Sequence, residues 1–260
     1  VSVMKFAKQK DGVRQSLVSL LVGWLVAFNA LSAFAADSVS TEAGPEGPAQ
    51  TAYSPATGKQ GPIIIVMSGQ SGPENYKLYA AELAHLGYYV ALVDGNDILN
   101  PEHTGPSNLK KVIERAQNAQ NAIRGKVAVV GFSLGGGGAL YSAASLKDSV
   151  SMVVAYYPYT RTWADNIDAL VKHFKVPVLV LAGGFDRHKN CCLIESMRAM
   201  EASAKEKGIP FELVVYPDAN HEFNLERHAG GKLNRDYRPD DASDAWRRTV
   251  EMLKHYQPLP

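Results

Sequence analysis

The chain has 260 residues, 46% of them hydrophobic and 20% charged, with 27 basic against 26 acidic side chains. That composition suits one soluble α/β domain with a large core. A formal charge of +1 and the lack of a basic stripe argue against a nucleic-acid or other acidic partner.

Residues 1–35 read as a targeting segment. Lys5, Lys8, Lys10 and Arg14 form a basic start, and Leu17 to Leu31 is an apolar run interrupted by Ser19, Gly23 and Asn29. Ala33-Phe34-Ala35 supplies a small-x-small cleavage signal, so a cut is expected after Ala35. The apolar run is short for a bilayer span, which needs about 20 residues. A cleaved signal peptide is therefore favoured over an anchor, with export to the periplasm or medium and no membrane attachment afterwards. Cys191 and Cys192 are the two cysteines, and they are adjacent. Export permits disulfides, but neighbouring Cα atoms lie about 3.8 Å apart, below the usual disulfide range of about 4.4–6.8 Å. Two small, buried, unbridged residues at a helix start are expected.

Residues 36–60 are rich in Ala, Ser, Thr, Gly and Pro and read as an exposed leader, with one edge strand near Gln50–Tyr53. The main domain is expected over 61–260. Ile63-Ile64-Ile65-Val66 is apolar on both faces, the mark of a buried parallel strand. Ser68–Gly72 is a Gly-rich turn. A helix is expected from Pro73 to Leu86, with Tyr76, Tyr79, Ala80, Leu83 and Leu86 on one face and Gly87 closing it. Tyr89–Val93 is the next strand and Asp94–Gly105 a loop. Ser107 then caps a helix whose stripe is Leu109, Val112, Ile113, Ala116 and Ile123.

A strand at Val127–Val130 runs into Gly131-Phe132-Ser133-Leu134-Gly135-Gly136-Gly137-Gly138, and a small-residue helix is expected from Ala139 to Ser145. Further strands are expected at Val150–Tyr156, Val176–Leu181 and Phe211–Tyr216. Helices are expected at Trp163–Phe174 and Cys192–Lys207, and a last helix is capped by Asp241 with Trp246, Val250 and Leu253 inward. Strands alternating with helices build a parallel sheet with helices on both faces. Right-handed crossovers bring the strands' C-terminal ends to one edge, where ligands bind.

Strand, G-x-S-x-G and helix together are the context of a nucleophile elbow, with the Ser133 hydroxyl pushed out at a strained turn. Asp186 follows the strand at Val176–Leu181 and His221 follows Phe211–Tyr216, giving the chain order Ser, Asp, His. A serine hydroxyl needs a base to take its proton. Imidazole titrates near neutrality, so His221 can take and return that proton, and Asp186 can hold its tautomer. One oxyanion donor is expected at the Leu134 N–H and the other within Ser68–Gly72. Asp218 and His188 are the rival acid and base. Asn96, Asp97 and His103 stand as mouth residues or a solvated loop. Tyr156, Tyr157, Tyr159 and Trp163 stand as pocket walls or core. Arg227, Lys232, Arg235 and Arg238 read as a solvated basic loop. No His, Cys or carboxylate spacing points to a metal, and the Ser68–Gly72 turn lacks the P-loop lysine.

With these residues in view, the chain resembles the dienelactone hydrolase family of α/β hydrolases over roughly residues 60–256. The likeness rests on Ile63–Gly72, Gly131–Gly136, Gly184-Phe185-Asp186, Asn220-His221-Glu222-Phe223 and the stretch Tyr237–Arg248. It implies an α/β-hydrolase fold with a mostly parallel sheet, Ser133 as nucleophile, Asp186 as acid and His221 as base. It places the second oxyanion donor on the Gln70 N–H. The namesake of the family carries cysteine where this chain has Ser133, which points to general ester hydrolysis. The expectation is a cofactor-independent serine hydrolase acting on a small carboxylic ester or lactone. Tyr157, Tyr159 and Trp163 are its candidate substrate-binding residues. Acyl transfer or peptidase-like cleavage by the same residues, and a non-catalytic binding module on the same fold, are the alternatives.

Overall fold

The computed structural model describes residues 39–42 and 47–260; the expected signal segment lies outside them. Among the described residues, no helix is long and apolar enough to cross a membrane.

Eight strands form one sheet in the order β1-β2-β4-β3-β5-β6-β7-β8. They are β1 Val39–Glu42, β2 Gln50–Tyr53, β3 Ile63–Met67, β4 Tyr89–Val93, β5 Val127–Phe132, β6 Val150–Tyr156, β7 Val178–Gly183 and β8 Phe211–Tyr216. From β4 through β8 every pairing is parallel, whereas β2 runs antiparallel to β4, and β1 antiparallel to β2. The strand expected at the edge, Gln50–Tyr53, thus lies one place in from it, with Val39–Glu42 outside. β7 starts two residues later than its apolar run, just after Pro177, which has no N–H to give to a ladder.

The helices are α1 Lys77–His85, α2 Gly95–Ile98, α3 Gly105–Gln117, α4 Leu134–Gly138, α5 Ile167–Val171, α6 Ile194–Glu206 and α7 Pro239–Tyr256. Successive residues of each strand point to opposite faces, and the core divides accordingly. Ile63, Ile65, Val127 and Val129 pack with residues of α3, α5 and α6, while Ile64, Val66, Ala128 and Val130 pack with residues of α1 and α7. Both strand faces are therefore apolar because both are covered.

Several boundaries differ from the sequence expectation for local reasons. The expected helix at Pro73–Leu86 opens as a 3₁₀ turn over Pro73–Tyr76, and Leu86 falls off the buried face at 38% exposed. The loop after β4 holds α2, because the Asp94 side chain accepts the Asn96 N–H at 2.9 Å and caps it. Helix α3 begins at Gly105, two residues before the expected cap. Pro106 presets φ for a first turn, and the Ser107 hydroxyl donates to the Thr104 carbonyl at 2.7 Å instead. That helix ends at Gln117, so Ile123 is not part of its stripe. Trp163–Phe174 is not one helix: Asn166 caps the Ala169 N–H at 3.1 Å and starts the separate α5. Helix α7 starts at Pro239, with Asp241 inside its first turn and bonded to Arg238 at 2.6 Å. Ala245, Thr249 and Leu253 form its buried stripe, while Trp246 and Val250 are half-buried.

Candidate active site

The turns after β3, β5, β7 and β8 meet at one end of the sheet. After β5 the chain reverses at Ser133, whose φ of 50° and ψ of −113° are strained for a residue with a side chain. The turn is held by its own backbone. The Ser133 N–H donates to the Tyr156 carbonyl at 3.0 Å, and the Ser133 carbonyl accepts from Gly137 at 3.0 Å and Tyr159 at 2.8 Å. Glycine is required for the close approach: a Cβ on Gly131 would lie 2.3 Å from the Gly135 carbonyl oxygen. Helix α4 follows at once and continues as a π-helical turn over Ala139–Ala143, so the expected helix starts five residues earlier than its small-residue run.

Two further turns carry the partners. A Cβ on Gly184 would sit 2.5 Å from the Pro217 carbonyl oxygen, so glycine lets the turns after β7 and β8 touch. Gly184 and Phe185 donate their N–H groups to the Tyr216 and Ala219 carbonyls at 2.8 and 3.0 Å. These contacts bring Asp186 and His221 together. The His221 Nδ1 lies 2.7 Å from Asp186 Oδ2, and the His221 Nε2 lies 3.0 Å from Ser133 Oγ. Ser133 and His221 are 8% exposed and Asp186 1%. An imidazole bonded on both sides in this way can accept the serine proton through Nε2 while the carboxylate orients it through Nδ1.

The imidazole is also held between rings. Tyr157 packs against it edge-on at 4.7 Å, and His188 stacks on it at 4.5 Å with an interplanar angle of 7°. Partial desolvation of this otherwise exposed ring, aided by His221 and Lys189 nearby, lowers the pKa of His188, which favours the neutral ring. His188 thus lies beside the base rather than in its place. Its backbone N–H donates to Asp186 Oδ1 at 3.0 Å. The rival acid Asp218 is exposed and 4.0 Å from Arg238.

The turn after β3 flanks the serine. A Cβ on Gly69 would meet the Ser133 Cβ at 3.4 Å. Next to it, Gln70 presents its N–H, which among the described residues donates to no backbone carbonyl, and its carbonyl accepts from the Asn96 side chain at 3.1 Å. The Leu134 N–H opens α4, where no preceding turn offers it a carbonyl. Ser68 was missed by pattern reading. It is fully buried, its hydroxyl accepts the Gly95 N–H at 3.0 Å, and its carbonyl accepts the Gly135 N–H at 3.1 Å. It pins the β3 turn to α2 and α4, and only its place at a strand end hinted at this.

The three aromatic candidates separate. Tyr157 is fully buried, with a φ of 35° and its hydroxyl on Asn224 at 2.8 Å, so it backs the imidazole rather than walling an open pocket. Tyr159 is half-buried, and Trp163 is half-buried against Tyr141 at 5.5 Å. The cysteine expectation is overturned: Cys191 and Cys192 are joined in a disulfide across a Cα separation of 3.8 Å. Spacing statistics drawn from ordinary bridges do not forbid a vicinal one; they make it rare.

A family model for the dienelactone hydrolase family matches residues 49–257. The chain belongs to the dienelactone hydrolase family. That membership places it among hydrolases of carboxylic esters and lactones. A candidate carboxymethylenebutenolidase of Methylorubrum extorquens is 26% identical over 229 residues, covering 78% of this chain and 75% of that protein. One from Escherichia coli K12 is 36% identical over 84 residues, which is 31% of this chain and 26% of that protein. Among solved structures, a candidate dienelactone hydrolase of Klebsiella pneumoniae superposes with a TM-score of 0.68 at 19% identity, covering 84% of this chain and 98% of the other. Est1E from Butyrivibrio proteoclasticus superposes with a TM-score of 0.61 at 15% identity, covering 84% and 98%. At these identities the structures establish the shared α/β-hydrolase fold.

Proposed function

We propose that this dienelactone hydrolase family member is an exported serine hydrolase that cleaves a small carboxylic ester or lactone through an acyl-enzyme. Ser133 is the nucleophile, His221 the general base and Asp186 its orienting acid. The observation that carries this reading is the single imidazole bonded to Ser133 Oγ at 3.0 Å and to Asp186 Oδ2 at 2.7 Å.

In the first half-reaction His221 Nε2 takes the Ser133 proton as Oγ attacks the carbonyl carbon. The N–H groups of Leu134 and Gln70 receive the developing oxyanion, each such donor contributing roughly 100- to 1,000-fold in rate. The imidazolium, stabilised by Asp186, then protonates the leaving alkoxide. In the second half-reaction water, deprotonated by His221, attacks the acyl-serine and restores the hydroxyl. In a lactone the leaving alkoxide stays tethered to the acyl group, so one product is released. None of these steps calls on a cofactor. The candidate carboxymethylenebutenolidase relatives support an ester or lactone substrate by their names. Tyr159 and Trp163, half-buried beside the turn that follows β6, are the side chains proposed to meet it.

Export is supported by the basic start, apolar run and Ala33-Phe34-Ala35 of residues 1–35. The Cys191–Cys192 disulfide fits an oxidising compartment. Hydrolysis of p-nitrophenyl acetate by the wild type and by Ser133→Ala tests the reading together with fluorophosphonate labelling. Loss of turnover and of the adduct is expected. Full turnover by Ser133→Ala would sink it.

A further inference from the structure

The segment from Asp186 to Cys192 links the acid to the vicinal disulfide, and its conformation is costly. Lys189 and Asn190 both adopt left-handed backbone, with φ of 47° and 52°; asparagine tolerates that region, but a lysine holds it only when its surroundings enforce it. Both are exposed, and the nearest side-chain partner of the Lys189 amine is Gln70 Oε1, at the long distance of 3.5 Å. The constraint comes from the two ends. At one end the His188 N–H is bonded to Asp186 Oδ1 at 3.0 Å. At the other the Cys191 N–H returns to the His188 carbonyl at 2.9 Å, and the Cys191 carbonyl accepts from Thr160 and Arg161 at 2.8 and 3.2 Å. Cys191 and Cys192 are themselves buried, at 6% and 1% exposed. Their two sulfur atoms and a ring nitrogen of His221 all lie within 4.8 Å of one another.

We propose that the Cys191–Cys192 disulfide is a positioning element for the catalytic base. It lies within 4.8 Å of a His221 ring nitrogen, and it locks the strained turn that stacks the His188 ring on the same imidazole at 4.5 Å. In that turn the His188 N–H occupies Asp186 Oδ1, leaving Oδ2 directed at His221 Nδ1. Opening the bridge frees Cys191 and Cys192 to take separate rotamers, relaxes Lys189 and Asn190 to ordinary backbone, and withdraws both the His188 ring and its N–H. The base then samples orientations in which Nε2 no longer faces Ser133. This proposal rests on the reading of Ser133, His221 and Asp186 as the reacting network.

The test compares three forms in ester hydrolysis: oxidised wild type, wild type reduced by a water-soluble phosphine, and Cys191→Ser/Cys192→Ser. In the reduction the phosphine gives two electrons to the S–S bond, becomes a phosphine oxide with the oxygen of water, and leaves two protonated thiols. Alkylation counts those thiols, and near-ultraviolet circular dichroism reports that the protein is folded. If the buried bridge resists, the protein is refolded from urea in the presence of the phosphine.

Reduction is expected to lower kcat roughly 10- to 100-fold, as a small misplacement of a catalytic group does, with KM within about twofold because substrate contacts are kept. The double variant reproduces the reduced values and does not respond to phosphine. Folded, reduced protein with two alkylatable thiols and unchanged kcat overturns the proposal. If Ser133→Ala still hydrolyses ester, the triad reading fails. If Ser133 is essential and reduction changes nothing, only the positioning role fails.

Discussion

Gly135→Ala is the sharpest test of how the elbow is built. The added Cβ would lie 2.3 Å from the Ser68 carbonyl oxygen and 2.5 Å from that of Met67, both backbone atoms at the end of β3. Real Cβ contacts stop near 3.0 Å, so α4 and the β3 turn must separate by about 0.7 Å. No side chain can absorb this, and the same motion stretches the 3.1 Å bond from the Gly135 N–H to Ser68. Overpacking of this kind costs about 1–3 kcal/mol in stability. The catalytic cost is expected to be larger, because the separation falls between Ser133 and the Gln70 N–H. A misplacement near 1 Å reduces turnover by roughly 100-fold. Steady-state hydrolysis of p-nitrophenyl acetate gives the change in kcat, and urea unfolding gives the change in midpoint. A variant with wild-type kcat and midpoint would refute the claim that glycine is needed there for close approach.

Other expectations follow from single contacts. Asp186→Asn keeps the size of the acid but offers His221 Nδ1 the wrong partner; kcat should fall about 10⁴-fold with little change in KM, read by steady-state kinetics. Thr249→Val removes one of the two partners of the buried Tyr156 hydroxyl, the one 2.8 Å away, and leaves Tyr79 at 3.3 Å; it should lower stability by about 1 kcal/mol in urea titration. Asp244 loses ionic stability to partial burial but gains more from Arg248, Arg247 and Tyr216, and its pKa falls to about 2. Because the folded value lies below the ordinary aspartate value of 3.8, its contribution is full above about pH 4 and is lost as pH falls through about 2. Asp244→Asn should therefore cost about 1 kcal/mol at pH 7, a figure kept small by its partial exposure. The gap from wild type should close towards pH 2 in thermal melts; a gap independent of pH would contradict the ion-pair account.

Much of this protein was legible from the chain. Runs such as Ile63-Ile64-Ile65-Val66, apolar on both faces, announce strands covered on both sides, and the sheet places helices on each. The order Ser133, Asp186, His221, each after a strand, marked the residues that the fold gathers, because parallel strands joined by right-handed crossovers end on one edge. Element ends were less legible. Pro106, Asn166 and Pro177 move boundaries by caps and missing N–H groups that apolar periodicity does not report.

The periodic, local features are legible in the chain alone: the strands from Gln50 onward, the glycines that sit at turns, and the side chains with chemistry to offer; the outer strand Val39–Glu42 was not among them. Tertiary structure alone decided who touches whom. Tyr157 became the backing of an imidazole and not a pocket wall, because the turn after β8 lays His221 on its ring. His188 became a stacked neighbour of the base, and Ser68 a pin between three elements. Adjacent cysteines became a disulfide beside His221. The physical reason is that periodicity fixes the face on which a side chain lies, whereas distances across turns far apart in the chain depend on packing between elements that share no local pattern.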